Sequence, residues 1–212
     1  MVHTAVIELL RCPAAHEESP LVATATRQIE RRIVTGLLGC PVCGLEYAIR
    51  GGVADFRAGA GADARDARPS PNEEAAVRLA AQLDLSEPAR LVALFGEYAR
   101  FAAALSVVFD AQGVVIGAPL LLERQIAEHA SVLRIDATLP LARASMHGAA
   151  VDAEYAARLG LDEVRALLRP NGRLVAPADV PLPVGVAQLA RDESEWVAER
   201  AVDVVELRRS AR

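Results

Sequence analysis

The sequence predicts a mixed α/β protein in which a small N-terminal β module precedes a larger domain with a doubly wound sheet. Short apolar runs typical of buried strands alternate with helix signals from residue 71 onward. Three cysteines and a histidine cluster within residues 1–57, as in small modules that a metal ion holds together. Residues 58–70 contain no large apolar side chain, which predicts a flexible linker between the module and the domain at 71–212.

The individual elements follow from local signals. A β-hairpin is predicted in the N-terminal module from apolar residues at 21–24 and 32–35. The first helix of the larger domain is predicted to begin at Ser70, where Pro71 and Glu73 complete a capping-box pattern, and to end near residue 83. Further helices are predicted at residues 97–105, 120–129, 162–168 and 186–199. Strands are predicted at residues 91–95, 113–117, 131–136, 146–151, 173–177 and 202–207.

The composition predicts a folded chain and excludes several chemistries. Hydrophobic residues make up 52% of the 212 residues, which is enough for a sizeable core. All 23 basic residues are arginine, so every reaction that needs a lysine amine is excluded. The net charge of −5 argues against nucleic acid as a partner, because neutralising phosphates requires a basic surface.

We expect a location in the reducing cytoplasm and no membrane partner. The first ten residues lack the basic start of a secretory signal peptide. The longest apolar stretch, residues 113–122, is too short to cross a bilayer and contains Pro119. Three cysteines are an odd number, which argues against a framework of disulfides.

Four potential metal ligands lie in the N-terminal module. Cys12 and His16 form one pair, and Cys40 and Cys43 form the other in a Cys-Pro-Val-Cys-Gly turn. Tetrahedral zinc is bound by four such sulfur and nitrogen donors, and a module this small needs a cross-link to be stable. We therefore predict a structural zinc site at these four residues. Two alternatives remain open: a module that has lost its metal, and a nucleophilic Cys12 activated by His16.

Residues 7–57 resemble the small zinc-ribbon family that binds and activates tRNA and release-factor methyltransferases. The similar stretches are Ile-Glu-Leu-Leu-Arg-Cys-Pro at 7–13 and Cys-Pro-Val-Cys-Gly-Leu-Glu-Tyr-Ala-Ile-Arg-Gly-Gly-Val at 40–53. The family usually carries a second cysteine where this chain has Ala15, and His16 is the nearby donor that could replace it. In the resembled pairs the ribbon adds its edge to the enzyme's sheet. The resemblance therefore implies docking onto the larger domain, a protein partner, or self-association through the ribbon.

Residues 71–212 resemble the class I methyltransferases that use S-adenosylmethionine (SAM). One similar stretch is Leu-Arg-Ile-Asp-Ala-Thr-Leu-Pro at 133–140, and the other is residues 162–175, around Leu-Arg-Pro-Asn-Gly. The resemblance implies a Rossmann-like, doubly wound sheet, truncated here at the C-terminal hairpin. It also implies that Asp136 hydrogen-bonds the adenine amino group of the cofactor.

The cofactor-binding pattern of that family is incomplete in this chain. A glycine-rich turn after the first strand allows the backbone to approach SAM, but an in-register match places Phe95, Glu97 and Ala99 at its glycines. Sliding the match by one residue retains only Gly96. The acid that would hold the ribose at the end of the second strand is also absent from residues 115–119. We therefore expect SAM binding to be lost, with Gly96 and the adenine contact as the remaining cofactor positions.

Three functions remain open from the sequence. The first is a methyltransferase-like pseudo-enzyme that has lost SAM and serves binding, assembly or regulation. The alternative is an active SAM-dependent methyltransferase with an atypical pocket, in which Tyr98 or His147 approaches the substrate. The second alternative is a zinc-ribbon adaptor for a protein or RNA, with Arg27, Arg31 and Arg32 as a small basic face.

Overall fold

The computed structural model describes residues 1–59, 70–120 and 122–201, which form a mixed α/β fold around one central sheet. Most of the predicted linker at 58–70 lies outside the described residues, as does the whole predicted strand at 202–207. No helix in this described part of the chain has the length and hydropathy that crossing a bilayer requires.

The N-terminal module contains one short helix and five strands. Its elements are β1 (Val2–His3), α1 (Thr4–Ile7), β2 (Val22–Ile29), β3 (Arg32–Gly39), β4 (Glu46–Arg50) and β5 (Val53–Asp55). Strands β2 and β3 form the predicted hairpin, which is confirmed and extends beyond the predicted residues.

The larger domain alternates helices and strands as predicted until its last elements, except for a helix at residues 153–159 that the sequence did not predict. The elements of this domain are α2 (Glu73–Gln82), β6 (Leu91–Phe95), a 3₁₀ helix (Gly96–Phe101), α3 (Ala102–Phe109), β7 (Gln112–Ile116), α4 (Glu123–Ala127), β8 (Ala130–Arg134), β9 (Met146–Ala150), α5 (Ala153–Leu159), α6 (Leu161–Leu167), β10 (Leu168–Pro177), β11 (Val186–Arg191) and β12 (Glu195–Arg200).

The strand order identifies the doubly wound fold. The order is β1-β3-β4-β5-β8-β7-β6-β9-β10-β12-β11, with β2 paired to β3 outside this path. Neighbours from β5 to β10 in this order run parallel. From β6 the chain passes through β7 and β8 to one side and through β9 and β10 to the other. This reversal leaves a crevice between the carboxyl ends of β6 and β9, where doubly wound sheets bind ligands. The predicted Rossmann-like α/β class is confirmed.

Helices and the N-terminal module cover both faces of the parallel strands. In β6, Val92 and Leu94 pack with residues of α2, α3 and α4. Ala93 and Phe95 point to the opposite face and pack with the N-terminal module, α5 and α6. This alternation with a period of two is what a strand buried on both faces requires.

The N-terminal module joins the sheet of the larger domain through β5 and β8. Val53 lies opposite Val132 in this parallel pair. Beside the pair, Arg134 donates from Nε to Glu123 Oε1 at 2.8 Å and from Nη1 to Asp55 Oδ2 at 3.4 Å. The Glu123 side chain is only 6% exposed. A largely buried ion network therefore connects the module, the sheet and α4.

The helix predicted at residues 186–199 is wrong, because the structure has the antiparallel strands β11 and β12 there. A turn breaks the helical pattern: Asp192 Oδ1 accepts the N–H of Ser194 at 2.8 Å. Beyond this turn, Trp196 and Val197 pack into opposite core faces, as consecutive strand residues do. The C-terminal hairpin is therefore present in the described residues, and the expected truncation is also wrong.

The start of α2 also differs from the prediction. Asn72, and not Ser70, is the N-cap residue, and its Oδ1 accepts the N–H of Ala75 at 2.9 Å. Asparagine is as good a cap as serine, and Asn72 stands directly before two glutamates that favour a helix N-terminus.

Candidate functional site

The structure brings together all four predicted metal ligands. The donor atoms of Cys12, His16, Cys40 and Cys43 lie within 4.8 Å of one another. The sulfur atoms of Cys12 and Cys43 are 3.7 Å apart, and Cys40 Sγ is 3.5 Å from His16 Nε2. Zinc bonds of about 2.3 Å to sulfur and about 2.0 Å to nitrogen give tetrahedral edges of about 3.8 and about 3.5 Å. The two measured distances match these edges, so the donor set fits a zinc ion.

Each pair of donors is held by a closed turn. Cys40 donates its N–H to the carbonyl of Leu45 at 2.9 Å, and Gly44 donates to the carbonyl of Cys40 at 2.9 Å. Gly44 has φ +72°, a conformation that residues with a side chain rarely adopt. In the first turn, Cys12 donates its N–H to the carbonyl of Ser19 at 3.0 Å. These backbone hydrogen bonds therefore hold the two turns that carry the cysteines.

His16 is oriented to bind a metal through Nε2. Its Nδ1 lies 2.6 Å from the carbonyl oxygen of Glu17, so Nδ1 carries the proton and donates it. The same hydrogen bond raises the pKa of His16 above its ordinary value. Backbone carbonyls orient many zinc-binding histidines in this way.

Tyr47 is a neighbour of the cluster that was not predicted. Its hydroxyl is 3.5 Å from Cys12 Sγ, and its ring packs on Phe56 with centroids 4.9 Å apart. Burial, and then the contact with Cys12, raise the pKa of Tyr47 well above its ordinary value, so the hydroxyl keeps its proton and can donate it to a Cys12 thiolate. Burial raises the pKa of Cys40, but hydrogen bonds led by the Cys43 N–H outweigh it and lower that pKa to about 6.

The crevice between β6 and β9 is bridged by a carboxylate. Gly96, with φ +56°, begins the 3₁₀ helix directly after β6. The N–H of Glu97 donates to Asp152 Oδ2 at 2.9 Å, and Asp152 Oδ1 accepts the N–H of Tyr155 at 2.8 Å. Asp152 therefore caps α5 and at the same time links that helix to the segment after β6.

Side chains of α5 fill the adjacent carboxyl edge above β6, β7 and β8. Tyr155 is 0% exposed, and its ring centroid lies 6.0 Å from that of Phe95. A Cβ placed on Gly117, just after β7, would lie 2.2 Å from the Tyr155 hydroxyl oxygen. Arg158 stacks over the Tyr155 ring at 5.3 Å and donates to the carbonyl of Ile135, just after β8, at 3.0 Å. The protein's own side chains therefore occupy this edge.

Both cofactor positions predicted from the sequence are engaged within the protein. Asp136 Oδ2 accepts the N–H of Ala58 at 2.9 Å, so this carboxylate binds the segment that follows β5. Gly96 is buried in the turn after β6. Tyr155 and Arg158 were not predicted, because no local pattern shows which edge of a sheet a helix will cover.

A crevice of about 580 Å³ remains beside Asp152, on the side of α2 and β12. Tyr98 lines it and donates its hydroxyl to Glu195 Oε2 at 3.2 Å. Gln82 donates to the other oxygen of that carboxylate at 2.7 Å, and Arg78 forms an ion pair with it. Burial, and then the charge of Glu195, raise the pKa of Tyr98 far above its ordinary value. The crevice is large enough for a small ligand.

Other residues considered in the sequence lie away from this crevice. His147 stands at the amino ends of the strands, where Nδ1 accepts the N–H of Leu91 at 3.0 Å. Burial, and then the charge of Arg169, lower the pKa of His147. Arg27 and Arg31 are exposed on and beside the hairpin of β2 and β3. A role for His147 next to a substrate at the carboxyl ends therefore does not fit the structure.

Comparison with known proteins finds similarity among solved structures alone. No family model and no curated protein matches this chain. The antibiotic-resistance methyltransferase Kmr is 16% identical, with 60% of this chain and 93% of Kmr covered and a TM-score of 0.42. YjhP from E. coli is 15% identical, and the match covers 57% of this chain and 56% of YjhP with a TM-score of 0.41. A SAM-dependent methyltransferase from Geobacter sulfurreducens, in complex with S-adenosyl-L-homocysteine, is 19% identical. The match covers 53% of this chain and 52% of that protein with a TM-score of 0.39. This chain spans about half the length of the last two proteins, and at these scores the likeness does not bear on activity.

Proposed function

We propose that this protein is a methyltransferase-like pseudo-enzyme that does not bind SAM and that serves binding, assembly or regulation. We also propose that its N-terminal module holds a structural zinc ion. The observation that carries the first proposal is the packing of Tyr155 against the backbone at Gly117. Gly117 directly follows β7, which corresponds to the second strand of the resembled family. At the end of that strand the family carries an acid that holds the ribose of SAM.

The segment after β6 supports the same conclusion. The resembled family presents free backbone N–H groups to the cofactor there, from a glycine-rich turn. In this chain the N–H of Glu97 already donates to Asp152, and the turn is a 3₁₀ helix. A ligand with a carboxylate at this point would have to displace Asp152 and would meet the charge of Glu97.

The expected loss of affinity follows from the contacts that SAM would have to break. A hydrogen bond to a charged acceptor contributes about 1.5–3 kcal/mol, and exposing a large apolar side chain costs about 1.5–3 kcal/mol. Moving Asp152 and Tyr155 therefore costs about 3–6 kcal/mol, which corresponds to about 10²- to 10⁴-fold weaker binding. A cofactor site of about 1 µM affinity would become a site with a dissociation constant of about 0.1–10 mM.

Titration calorimetry with SAM and with S-adenosyl-L-homocysteine tests this proposal. We expect a dissociation constant of about 0.1 mM or weaker for the native protein. Two variants identify the cause: Tyr155→Ala removes the ring, whereas Tyr155→Phe keeps it and serves as the matched control. Binding by Tyr155→Ala alone would show that the ring blocks the site. A dissociation constant near or below about 10 µM for the native protein would overturn the proposal.

One observation favours the alternative of an active methyltransferase with an atypical pocket. The crevice of about 580 Å³ lies at the carboxyl ends of the strands, beside Tyr98 and Asp152. SAM would then have to lie towards α2 and β12, away from the filled edge above β7. The same calorimetry decides between the two functions, with Tyr98→Ala as the variant that should alter binding in this crevice.

The zinc proposal rests on four donors that lie within 4.8 Å of one another, two of whose distances match the edges of a zinc tetrahedron. Bound zinc would supply a cross-link between the turn at 12–16 and the turn at 40–43. The chain's own residues fix the ligands, since Glu17 orients His16 and Tyr47 donates to Cys12.

Elemental analysis of the purified protein tests the metal site, and we expect about one zinc ion per chain. Replacement by cobalt should give the intense visible bands of tetrahedral thiolate coordination. His16→Ala should weaken metal retention and lower the thermal midpoint, whereas the neighbouring Glu17→Ala, which keeps the backbone carbonyl, should do neither. A protein that neither contains zinc nor binds cobalt after reduction would refute the proposal.

A further inference from the structure

We propose that Cys43 is an oxidation site and that Cys12 is its resolving thiol, so that a peroxide converts the cluster into a Cys12–Cys43 disulfide and displaces the metal. This inference rests on the zinc centre proposed above and adds a chemical modification to it.

Accessibility distinguishes the three sulfur atoms. Cys12 is 9% exposed and Cys40 is 3% exposed, whereas Cys43 is exposed. Metal binding requires all three as thiolates, so in the metal-bound protein the thiolate fraction does not separate them. A dissolved oxidant therefore reacts first where it has access, at Cys43.

Geometry identifies the second sulfur. Cys12 Sγ lies 3.7 Å from Cys43 Sγ, and a disulfide requires about 2.05 Å, so the two atoms must approach by about 1.7 Å. Cys40 Sγ instead contacts His16 Nε2 at 3.5 Å and is the most buried sulfur of the set. Rotation of the exposed Cys43 side chain towards Cys12 would close this distance.

The chemistry balances with hydrogen peroxide as the oxidant. The Cys43 thiolate attacks one peroxide oxygen, the O–O bond breaks, and Cys43 sulfenic acid and hydroxide form. The Cys12 thiolate then attacks the Cys43 sulfur, the S–O bond breaks, and a second hydroxide leaves. Two protons from buffer acid in the solvent convert the hydroxides to water. The sulfurs are oxidised by two electrons, and the peroxide is reduced by two.

The position of this disulfide has a structural consequence. Cys12 and Cys43 belong to different turns and are 31 residues apart. Their disulfide would keep the two turns joined after the metal has left, which a disulfide between Cys40 and Cys43 could not do. The oxidised module would therefore lose zinc and remain folded, whereas the reduced module without zinc has no cross-link between its turns.

Mass spectrometry of the native full-length chain provides the test. The zinc-loaded protein is treated with hydrogen peroxide while a colorimetric chelator reports the released zinc. Trypsin cleaves after arginine, so Cys12 lies in the peptide 12–27, and Cys40 and Cys43 lie together in the peptide 33–50. We expect the two peptides to be joined, with a loss of about 2 Da that fragmentation assigns to Cys12 and Cys43. Zinc release should follow the same time course.

The controls separate this inference from the zinc proposal. Zinc content is measured before oxidation, so an absent metal counts against the zinc centre and not against the disulfide. In the chain denatured in urea, oxidation should not favour the Cys12–Cys43 disulfide over the other two pairings. Cys43→Ser should abolish the joined peptides. If this variant folds poorly, the disulfide assignment in the native protein still tests the inference. A disulfide within peptide 33–50, or zinc release without joined peptides, would overturn the inference.

Discussion

Gly117→Ala directly tests the packing on which the proposed loss of SAM binding depends. The new Cβ would lie 2.2 Å from the hydroxyl oxygen of Tyr155, a ring that is fully buried. Gly117 also has φ +77°, which costs a residue with a side chain about 1 kcal/mol. Forcing a buried ring to move costs about 1–3 kcal/mol more. We therefore expect a destabilisation of about 3 kcal/mol, which lowers the thermal midpoint by about 6–12 °C for a chain of this size.

Gly51→Ala is the matched control for this experiment. Gly51 has φ +59°, and no atom lies within 4 Å of the position its Cβ would take. This variant has the backbone strain without the clash, so it should lose only about 1 kcal/mol. The difference between the two variants measures the contact with the ring.

A double-mutant cycle supplies the result that would refute the reasoning. In a Tyr155→Ala background the clash is absent, so Gly117→Ala should cost no more than Gly51→Ala does. The coupling free energy between positions 117 and 155, measured by thermal or urea unfolding, should be about 2 kcal/mol. Additive effects, within about 0.5 kcal/mol, would mean that the Tyr155 ring does not lie against Gly117.

Three further predictions concern stability. Glu123→Gln should cost about 2 kcal/mol in urea unfolding, because it weakens a largely buried pair with Arg134; a change below about 0.5 kcal/mol would contradict this. Burial raises the pKa of Asp55, but hydrogen bonds from Arg57 outweigh it and the folded-state pKa is lowered. Its contribution is therefore present above the unfolded pKa of about 4 and lost as the pH falls. The stability gap between the native protein and Asp55→Asn should narrow from about pH 7 to about pH 3, and a constant gap would disprove the assignment. Asn72→Ala should lower the free energy of unfolding by about 1 kcal/mol, and Ser70→Ala should change it almost not at all. The opposite result would mean that Ser70 is the N-cap residue of α2.

Local chemistry accounts for the parts of the structure that the sequence predicted well. The cluster of Cys12, His16, Cys40 and Cys43 could be identified because spacing in a turn and donor type constrain a candidate metal site. The strands β6 and β7 could be identified because strands buried on both faces are short, continuous apolar runs. The absence of a glycine-rich turn after β6 was also visible, since glycine has few substitutes where a backbone must approach a ligand.

The remaining features depend on contacts between distant residues. Residues 186–199 contain helix-forming residues, but Asp192 forms a turn and Trp196 is buried against the sheet, so tertiary packing overrides propensity. The role of Tyr155 follows from the placement of α5 over the ends of β6 and β7, which no window of sequence contains. The engagement of Asp136 by Ala58 likewise joins segments 78 residues apart.

The parallel pairing of β5 with β8 has a consequence for how the chain matures on the ribosome. Asp55 and Arg134 at this junction are separated by 79 residues, so β5 has no neighbour on that side until β8 has been synthesised. Long-range parallel pairing is slow because a large loop must close first. During synthesis the half-built module therefore exposes an unpaired strand edge, a known route to aggregation. A metal ion captured early by the two cysteine turns would keep the nascent segment compact until its neighbour arrives.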